Sequence, residues 1–378
     1  MKHLLVTNDF PPKVGGIQSY LWELWRRLDP AEVTVLTSPH AGAAAWDAQR
    51  AYRVERVAEP VLLPHPGLVR RIDALADEVG AELVVIDPVL PLGLLGPRLR
   101  LPYGLVLHGA EITIPGRLPG SRAAMASILR RASLVIAAGG YPLAEAERAA
   151  RATLPSVLVP PGVDTVRFHP VDDAGRSAAR RALGLPEGRR IVTSVSRLVP
   201  RKGMDDLIRA AAALAGDRPD LVLAIAGAGR DRERLSRLAT DLDAPVVFMG
   251  RLDDDDLVRF HQAGDVFAML CRDRWAGLEQ EGFGIVFLEA AACGVPQIAG
   301  RSGGSHEAVE HGATGLVVEH PDDPAEVATA LASLLDDADR RTAWGVAARE
   351  RAVREFDYDH LARTLDDGLA ALFARGVR

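Results

Sequence analysis

The stretch His3-Leu4-Leu5-Val6-Thr7-Asn8-Asp9-Phe10-Pro11-Pro12-Lys13-Val14-Gly15-Gly16-Ile17-Gln18-Ser19-Tyr20 decides the fold. His3 to Thr7 reads as a strand, Phe10 to Gly16 as a Pro/Gly loop, and Ile17, Tyr20, Leu21, Leu24, Trp25 and Leu28 then recur at helical spacing. A strand that passes through a glycine loop into a helix opens a βαβ unit, so the expected class is α/β with parallel sheets. Because Leu4, Leu5 and Val6 follow Met-Lys-His directly and give way at once to Asn8 and Asp9, the N-terminus reads as a first strand and not as a secretory leader.

Outward from that unit, further strands are predicted at 33–37, 83–87, 103–108 and 134–138. A second series runs through 191–196, 221–226, 246–249, 266–270, 295–299 and 315–319. With 378 residues the chain is long enough for two domains, each burying its own core. Pro160-Pro161-Gly162-Val163-Asp164 and the polar 172–181 stretch suit an interdomain linker, which places a hinge near 160–175. Beyond Pro324 the pattern is helical. Phe356, Leu361, Leu365, Leu369 and Leu372 form one apolar stripe, expected to pack back on the first domain.

Composition narrows the function. Apolar residues make up 48% and charged residues 25%, the balance of a globular enzyme and not of a disordered chain. A net charge of -6 argues against sequence-independent nucleic-acid binding, so no nucleic-acid partner is expected. Cys271 and Cys293 lie in no disulfide framework or zinc spacing, and no metal site is expected. The longest apolar stretch, 83–107, is broken by Asp87, Arg98, Arg100 and prolines, which predicts a cytoplasmic protein without a membrane-spanning helix. Lys2, Lys13 and Lys202 are the only lysines among 45 basic residues.

Three loops carry candidate chemistry. Gly15 and Gly16 open a helix, where bare amides and the dipole favour an anion, although a tight turn alone would also use them. Arg197 and Lys202, five apart on a strand-to-helix loop, can aim two cations at a diphosphate, and a solvated loop is the alternative. Glu281 and Glu289 flank a glycine-led helix start. If the whole segment were helical they would lie about 12 Å apart, the reach from a sugar to a ribose, with the amides of Phe283, Gly284 and Ile285 between them.

Other features weigh less. His108 precedes Gly109 at a strand's carboxyl end. Gly227-Ala228-Gly229 has Arg232 at the third glycine position of a dinucleotide fingerprint, which weakens a dehydrogenase reading. The acidic run 253–256 precedes Leu257, Val258 and Phe260 and reads as a helix start before a metal site. The segments 61–76 and 117–131 mix basic and apolar residues, leaving contact with an anionic membrane and a solvated helix face both open.

Taken together, the Gly15-Gly16 loop, His108-Gly109, Arg197 with Lys202, and Glu281 to Glu289 resemble the retaining glycosyltransferases of family four, along nearly the whole chain. The stretch from Thr7 to Tyr20, the turn from His108 to Glu111 and the region from Arg272 to Gly284 are similar to the actinobacterial mannosyltransferases that add a second mannose to a phosphatidylinositol glycolipid. The resemblance implies the GT-B fold, two facing Rossmann-like domains with a cleft between them. Residues 1–165 with a C-terminal helix at about 357–378 would form the acceptor domain, and 170–356 the nucleotide-sugar donor domain.

It also implies roles. Arg197 and Lys202 would bind the diphosphate, Glu281 the sugar hydroxyls and Glu289 the ribose. Phe283, Gly284, Ile285 and Val286 would offer amides, and Gly250, Arg251 and Leu252 would meet the base. Gly16 would approach the diphosphate, the His108 carbonyl would support the anomeric centre, and Asp9 and Gln18 would face the acceptor. The implied reaction is metal-free, cofactor-free transfer from GDP-mannose to a phosphatidylinositol mannoside, with peripheral contact at the inner membrane face. Another nucleotide sugar, a soluble acceptor, a nucleotide-sugar epimerase and a silent binding protein are the alternatives.

Overall fold

The computed structural model describes residues 1–275 and 277–374. The chain divides into two compact units: Met1–Pro161 together with a C-terminal helix, Tyr358–Ala374, and Gly162–Asp357.

The first unit is built on seven parallel strands: β1 (His3–Thr7), β2 (Val33–Thr37), β3 (Arg53–Arg56), β4 (Leu83–Asp87), β5 (Tyr103–Leu107), β6 (Leu134–Ala137) and β7 (Ser156–Leu158). Their order is β3-β2-β1-β4-β5-β6-β7. Every residue of β1, β2, β4 and β5 is buried, as befits strands covered on both faces. Alternate side chains feed two cores. Leu4, Val6, Val84 and Ile86 pack with Leu68, Ile72 and Leu75 of the Pro66–Val79 helix. Leu5, Val35, Leu83 and Val85 pack with Tyr20, Leu21, Leu24 and Trp25 of the Gly16–Trp25 helix.

Leu361, Leu365, Leu369 and Leu372 join that second core, as the stripe predicts, but Phe356 does not. One helix ends at Glu355 and the next begins at Tyr358, so Phe356 turns into the other unit, its ring 5.8 Å from that of Phe283.

The second unit carries six parallel strands: β8 (Arg190–Val195), β9 (Leu221–Ala226), β10 (Val246–Gly250), β11 (Val266–Met269), β12 (Gln297–Gly300) and β13 (Gly315–Val318). Their order is β10-β9-β8-β11-β12-β13. Its entry and exit are paired, the Val163 amide donating to the Phe356 carbonyl at 2.8 Å.

Both sheets are doubly wound, and each reverses direction between its first and fourth strands, where such folds bind ligands beyond the carboxyl ends. Two edge strands, β3 and β7, escape the sequence reading because they are short and half-exposed and lack a continuous apolar run. The 172–181 stretch is no linker: Asp172 caps the Asp173–Ala182 helix, and Arg180 is buried against Asp265 at 3.0 Å. The acidic run is a helix start, with Asp253 accepting from the Asp256 amide. At the Gly227 turn a Cβ would fall 1.9 Å from the Ser196 carbonyl oxygen, so this glycine serves a backbone crossing within the sheet end.

Candidate active site

In the second unit, the chain leaving β8 passes Arg197 and enters a short turn at Pro200–Lys202. Gly203 follows at φ 65°, and a Cβ there would fall 1.9 Å from the Leu270 carbonyl oxygen. That close approach presses the turn onto the end of β11 and carries Lys202 inward, where it is only 7% exposed. Its ammonium lies 2.7 Å from Glu281 Oε2, and Arg201 reaches the same oxygen at 3.4 Å.

Glu281 is held from behind: the Gly304 amide donates to its carbonyl at 2.9 Å and its own amide donates to Ser302 Oγ at 3.3 Å. Burial disfavours its charge, but the Lys202 and Arg201 cations outweigh burial and hold the carboxyl below its ordinary range. Glu281 is therefore an ionised acceptor in a cationic setting. Ser302 in turn donates to Asp273 at 2.8 Å. Arg201, Ser302 and Asp273 were not singled out from sequence; the Gly303-Gly304 pair beside Ser302 was the available signal.

Glu281 and Glu289 are not on one helix. The helix is Ile285–Ala292, so Glu281 sits in the preceding loop and the spacing computed for a continuous helix does not apply. Glu289 accepts from His261 Nε2 at 3.2 Å. Gly284 begins the helix without a side-chain cap, leaving the amides of Ile285 and Val286 uncovered by any capping side chain. Phe283 is buried in the core, so only its backbone is available to a ligand. Arg197 is exposed and forms no ion pair among the described residues, unlike Lys202. At the end of β10, the Gly250 carbonyl accepts from the Gly227 amide at 2.6 Å and so is engaged by the sheet. Arg251 is exposed and Leu252 packs at the edge of a small core.

The first unit has its own buried cluster at the carboxyl ends of β1, β4 and β5. Asp87 is fully buried and takes hydrogen bonds from Thr7 Oγ1 at 2.7 Å and His108 Nε2 at 2.7 Å. The Asp9 amide donates to the same Thr7 hydroxyl at 2.8 Å. Burial works against a charged imidazole, but the Asp87 carboxylate beside it wins, and the His108 pKa is raised. The Tyr20 ring stands edge-on to that imidazole at 5.3 Å. Thr7 and Asp87 were missed as site residues, although a carboxylate closing an apolar strand was a legible signal.

Asp9 and Gln18 are brought together, Gln18 Nε2 lying 2.6 Å from Asp9 Oδ1, with Lys13 on the same oxygen at 2.7 Å. The two loop glycines differ. A Cβ on Gly15 would lie 2.3 Å from Gln18 Oε1, whereas one on Gly16 meets nothing within 4 Å. Gly15 thus serves the chain's own packing, and Gly16 borders open space.

The second unit's sheet thus ends in a lysine–glutamate pair in the loops that precede an uncapped helix start. A family model described as "Glycosyl transferases group 1" matches residues 175–351. The sequence is 43% identical over 94% of this chain and 94% of the relative to the "GDP-mannose-dependent alpha-(1-6)-phosphatidylinositol monomannoside mannosyltransferase" of Mycolicibacterium smegmatis. It is 39% identical, over 96% of each, to the "GDP-mannose-dependent monoacylated alpha-(1-6)-phosphatidylinositol monomannoside mannosyltransferase" of Corynebacterium glutamicum.

Among solved structures, Anabaena HepE in complex with UDP matches with a TM-score of 0.81 at 24% identity, covering 98% of this chain and 100% of that one. Sucrose-phosphate synthase from Thermosynechococcus elongatus matches with a TM-score of 0.78 at 24% identity, covering 99% of each chain. The chain belongs to the group 1 glycosyltransferases, with the paired Rossmann-like units of the GT-B fold. That membership sets aside the epimerase reading.

Proposed function

We propose that this protein is a GDP-mannose-dependent, retaining α-mannosyltransferase that adds mannose to a phosphatidylinositol mannoside. The observation that carries the reading is the 43% identity along 94% of both chains to a mycobacterial enzyme of that name. The second unit takes the donor and the first unit the acceptor. Lys202 has three N–H donors, and with one on Glu281 the others can serve the diphosphate, joined by Arg197 and the amides at the start of the Ile285–Ala292 helix. Ionised Glu281 accepts from sugar hydroxyls, and Glu289 from the ribose. Asp9 and Gln18 face the acceptor, and the His108 carbonyl supports the anomeric carbon.

In the reaction, the bond from the anomeric carbon to the diphosphate oxygen breaks as a bond to the acceptor oxygen forms on the same face. The acceptor proton passes to the departing phosphate. Negative charge grows on that leaving group, and fixed cations with helix amides are suited to stabilise it without a divalent metal. Turnover should therefore survive chelation by EDTA; loss restored by magnesium would overturn the metal-free step. Release of GDP together with a mannosylated glycolipid, seen by mass spectrometry only when phosphatidylinositol monomannoside is present, tests the whole reading. Turnover with UDP-glucose and none with GDP-mannose would overturn the donor assignment.

No described helix is long and apolar enough to cross a membrane, and peripheral contact is proposed through the first unit. Exposed Val61 and Leu63 flank the buried Leu62, near Arg70 and Arg71 on the following helix, and Leu118 lies exposed beside Arg117. Co-sedimentation with anionic liposomes, lost at high salt, checks this; no co-sedimentation at low salt would refute it.

A further inference from the structure

We infer that His261 is a positioning residue that sets Glu289 for the donor's ribose, an inference that rests on the reading of Glu289 given above. His261 lies on the Asp254–Ala263 helix and is fully buried, while Glu289, on the Ile285–Ala292 helix, keeps 15% of its side chain exposed. The two helices thus present one carboxylate with an inner and an outer aspect. The inner aspect meets imidazole Nε2 at 3.2 Å through Oε2.

The surroundings leave the imidazole little freedom. Its ring lies 5.9 Å from that of Phe168, 6.4 Å from Phe260 and 5.4 Å from Phe267. Nδ1 is buried and has no hydrogen-bond partner among the described residues. A proton on Nδ1 would be a buried donor without an acceptor, so the tautomer with hydrogen on Nε2 is the one this box holds, and that hydrogen points at Glu289. An aliphatic or aromatic residue would fill this position at less cost than a histidine with one orphaned nitrogen. What the histidine adds is a fixed donor that pins one carboxylate oxygen and leaves the other to a vicinal diol. A carboxylate held in one rotamer loses less freedom on meeting that diol, so the contribution falls on donor binding.

The test compares GDP-mannose with its 2′-deoxyribose analogue. For His261→Phe, which keeps the aromatic packing and removes the donor, the KM for GDP-mannose should rise roughly tenfold, the worth of one hydrogen bond to a charged group, with kcat within about twofold. The KM for the deoxy analogue should rise much less. His261→Gln, which can offer an amide N–H to Glu289, should recover most of the loss. In a Glu289→Gln background, His261→Phe should add little. Equal rises for both donors, or no recovery in His261→Gln, would show that His261 only fills the core and would overturn the inference. If Glu289→Gln itself fails to narrow the gap between the two donors, the ribose assignment of Glu289 is what fails, and the two failures are told apart.

Discussion

The two ends of the second unit's sheet hold their cations differently. At the amino ends of β8, β11 and β12, arginines line a cavity of about 600 Å³ that includes Arg176, Arg180, Arg341 and Arg349. Their donors are tied into the fold: Arg341 donates to the Leu334 and Leu335 carbonyls at a helix end at 2.6 Å, Arg349 to the Ala292 carbonyl at a helix end and to the Phe168 and Thr165 carbonyls in a turn at 2.8 to 3.0 Å, and Arg176 and Arg180 pair with Asp265 at 3.4 and 3.0 Å. In a parallel α/β unit the helices end on this side, and cations there satisfy orphan carbonyls and the negative pole of each helix. At the carboxyl end the helices begin, their orphan carbonyls are absent, and Lys202 and Arg201 share one oxygen of Glu281. Basic residues at the amino end are thus tied to carbonyls and to Asp265, whereas at the carboxyl end Lys202 keeps N–H donors beyond the one on Glu281, which the proposed function gives to the donor's diphosphate.

The comparison can be broken at either end. Lys202→Ala should cut turnover roughly 10²- to 10³-fold, the usual loss when a preorganised group aimed at transition-state charge is removed; initial rates on folded protein check this, and near-wild-type kcat would move the lysine out of the site. Arg349→Ala should leave kcat/KM nearly unchanged but destabilise by about 2 kcal/mol, because three carbonyls in two segments lose their donor. Urea unfolding measures it, and an activity loss without a stability loss would contradict the division.

Gly16→Ala should leave the melting temperature unchanged, since beyond its chain neighbours and its own helix no described residue lies within 4 Å of the new methyl group, yet raise the donor KM. Gly15→Ala should instead displace the end of the Gln18 side chain, since a Cβ there would fall 2.3 Å from its Oε1, and so weaken its hydrogen bond to Asp9. The smallest effect concerns pH. The raised His108 pKa means the stabilisation from its pairing with Asp87 is full below about pH 6.5 and fades as pH rises through the folded value. The melting-temperature advantage of wild type over His108→Gln should shrink between pH 6 and pH 9, and a constant difference would refute a charged pair.

Much of the fold was legible because buried parallel strands are continuous apolar runs. β1, β2, β4 and β9 fall where their residues place them. β3 has the sequence Arg-Val-Glu-Arg and is held by one neighbour only, so no local signal marks it. In the site, residue types and loops were readable, but pairings were not. Arg197 and Lys202 look alike in sequence, whereas the turn before Gly203 buries one and leaves the other in solvent. Glu281 and Glu289 look like a matched pair, but the helix start at Ile285 separates them, and each acquires a different partner, Lys202 or His261. Such choices depend on which backbone crosses which, as where Leu270 meets Gly203, and that is set by contacts distant in sequence.

The Tyr358–Ala374 helix has a consequence for biogenesis. Tyr358, Leu361, Leu365, Leu369 and Leu372 complete a core whose other buried members, from Leu5 to Val159, are made first. During vectorial synthesis the first unit must therefore wait, one hydrophobic face uncovered, while the whole of the second unit is translated and folds. The unit begun first is therefore the one completed last.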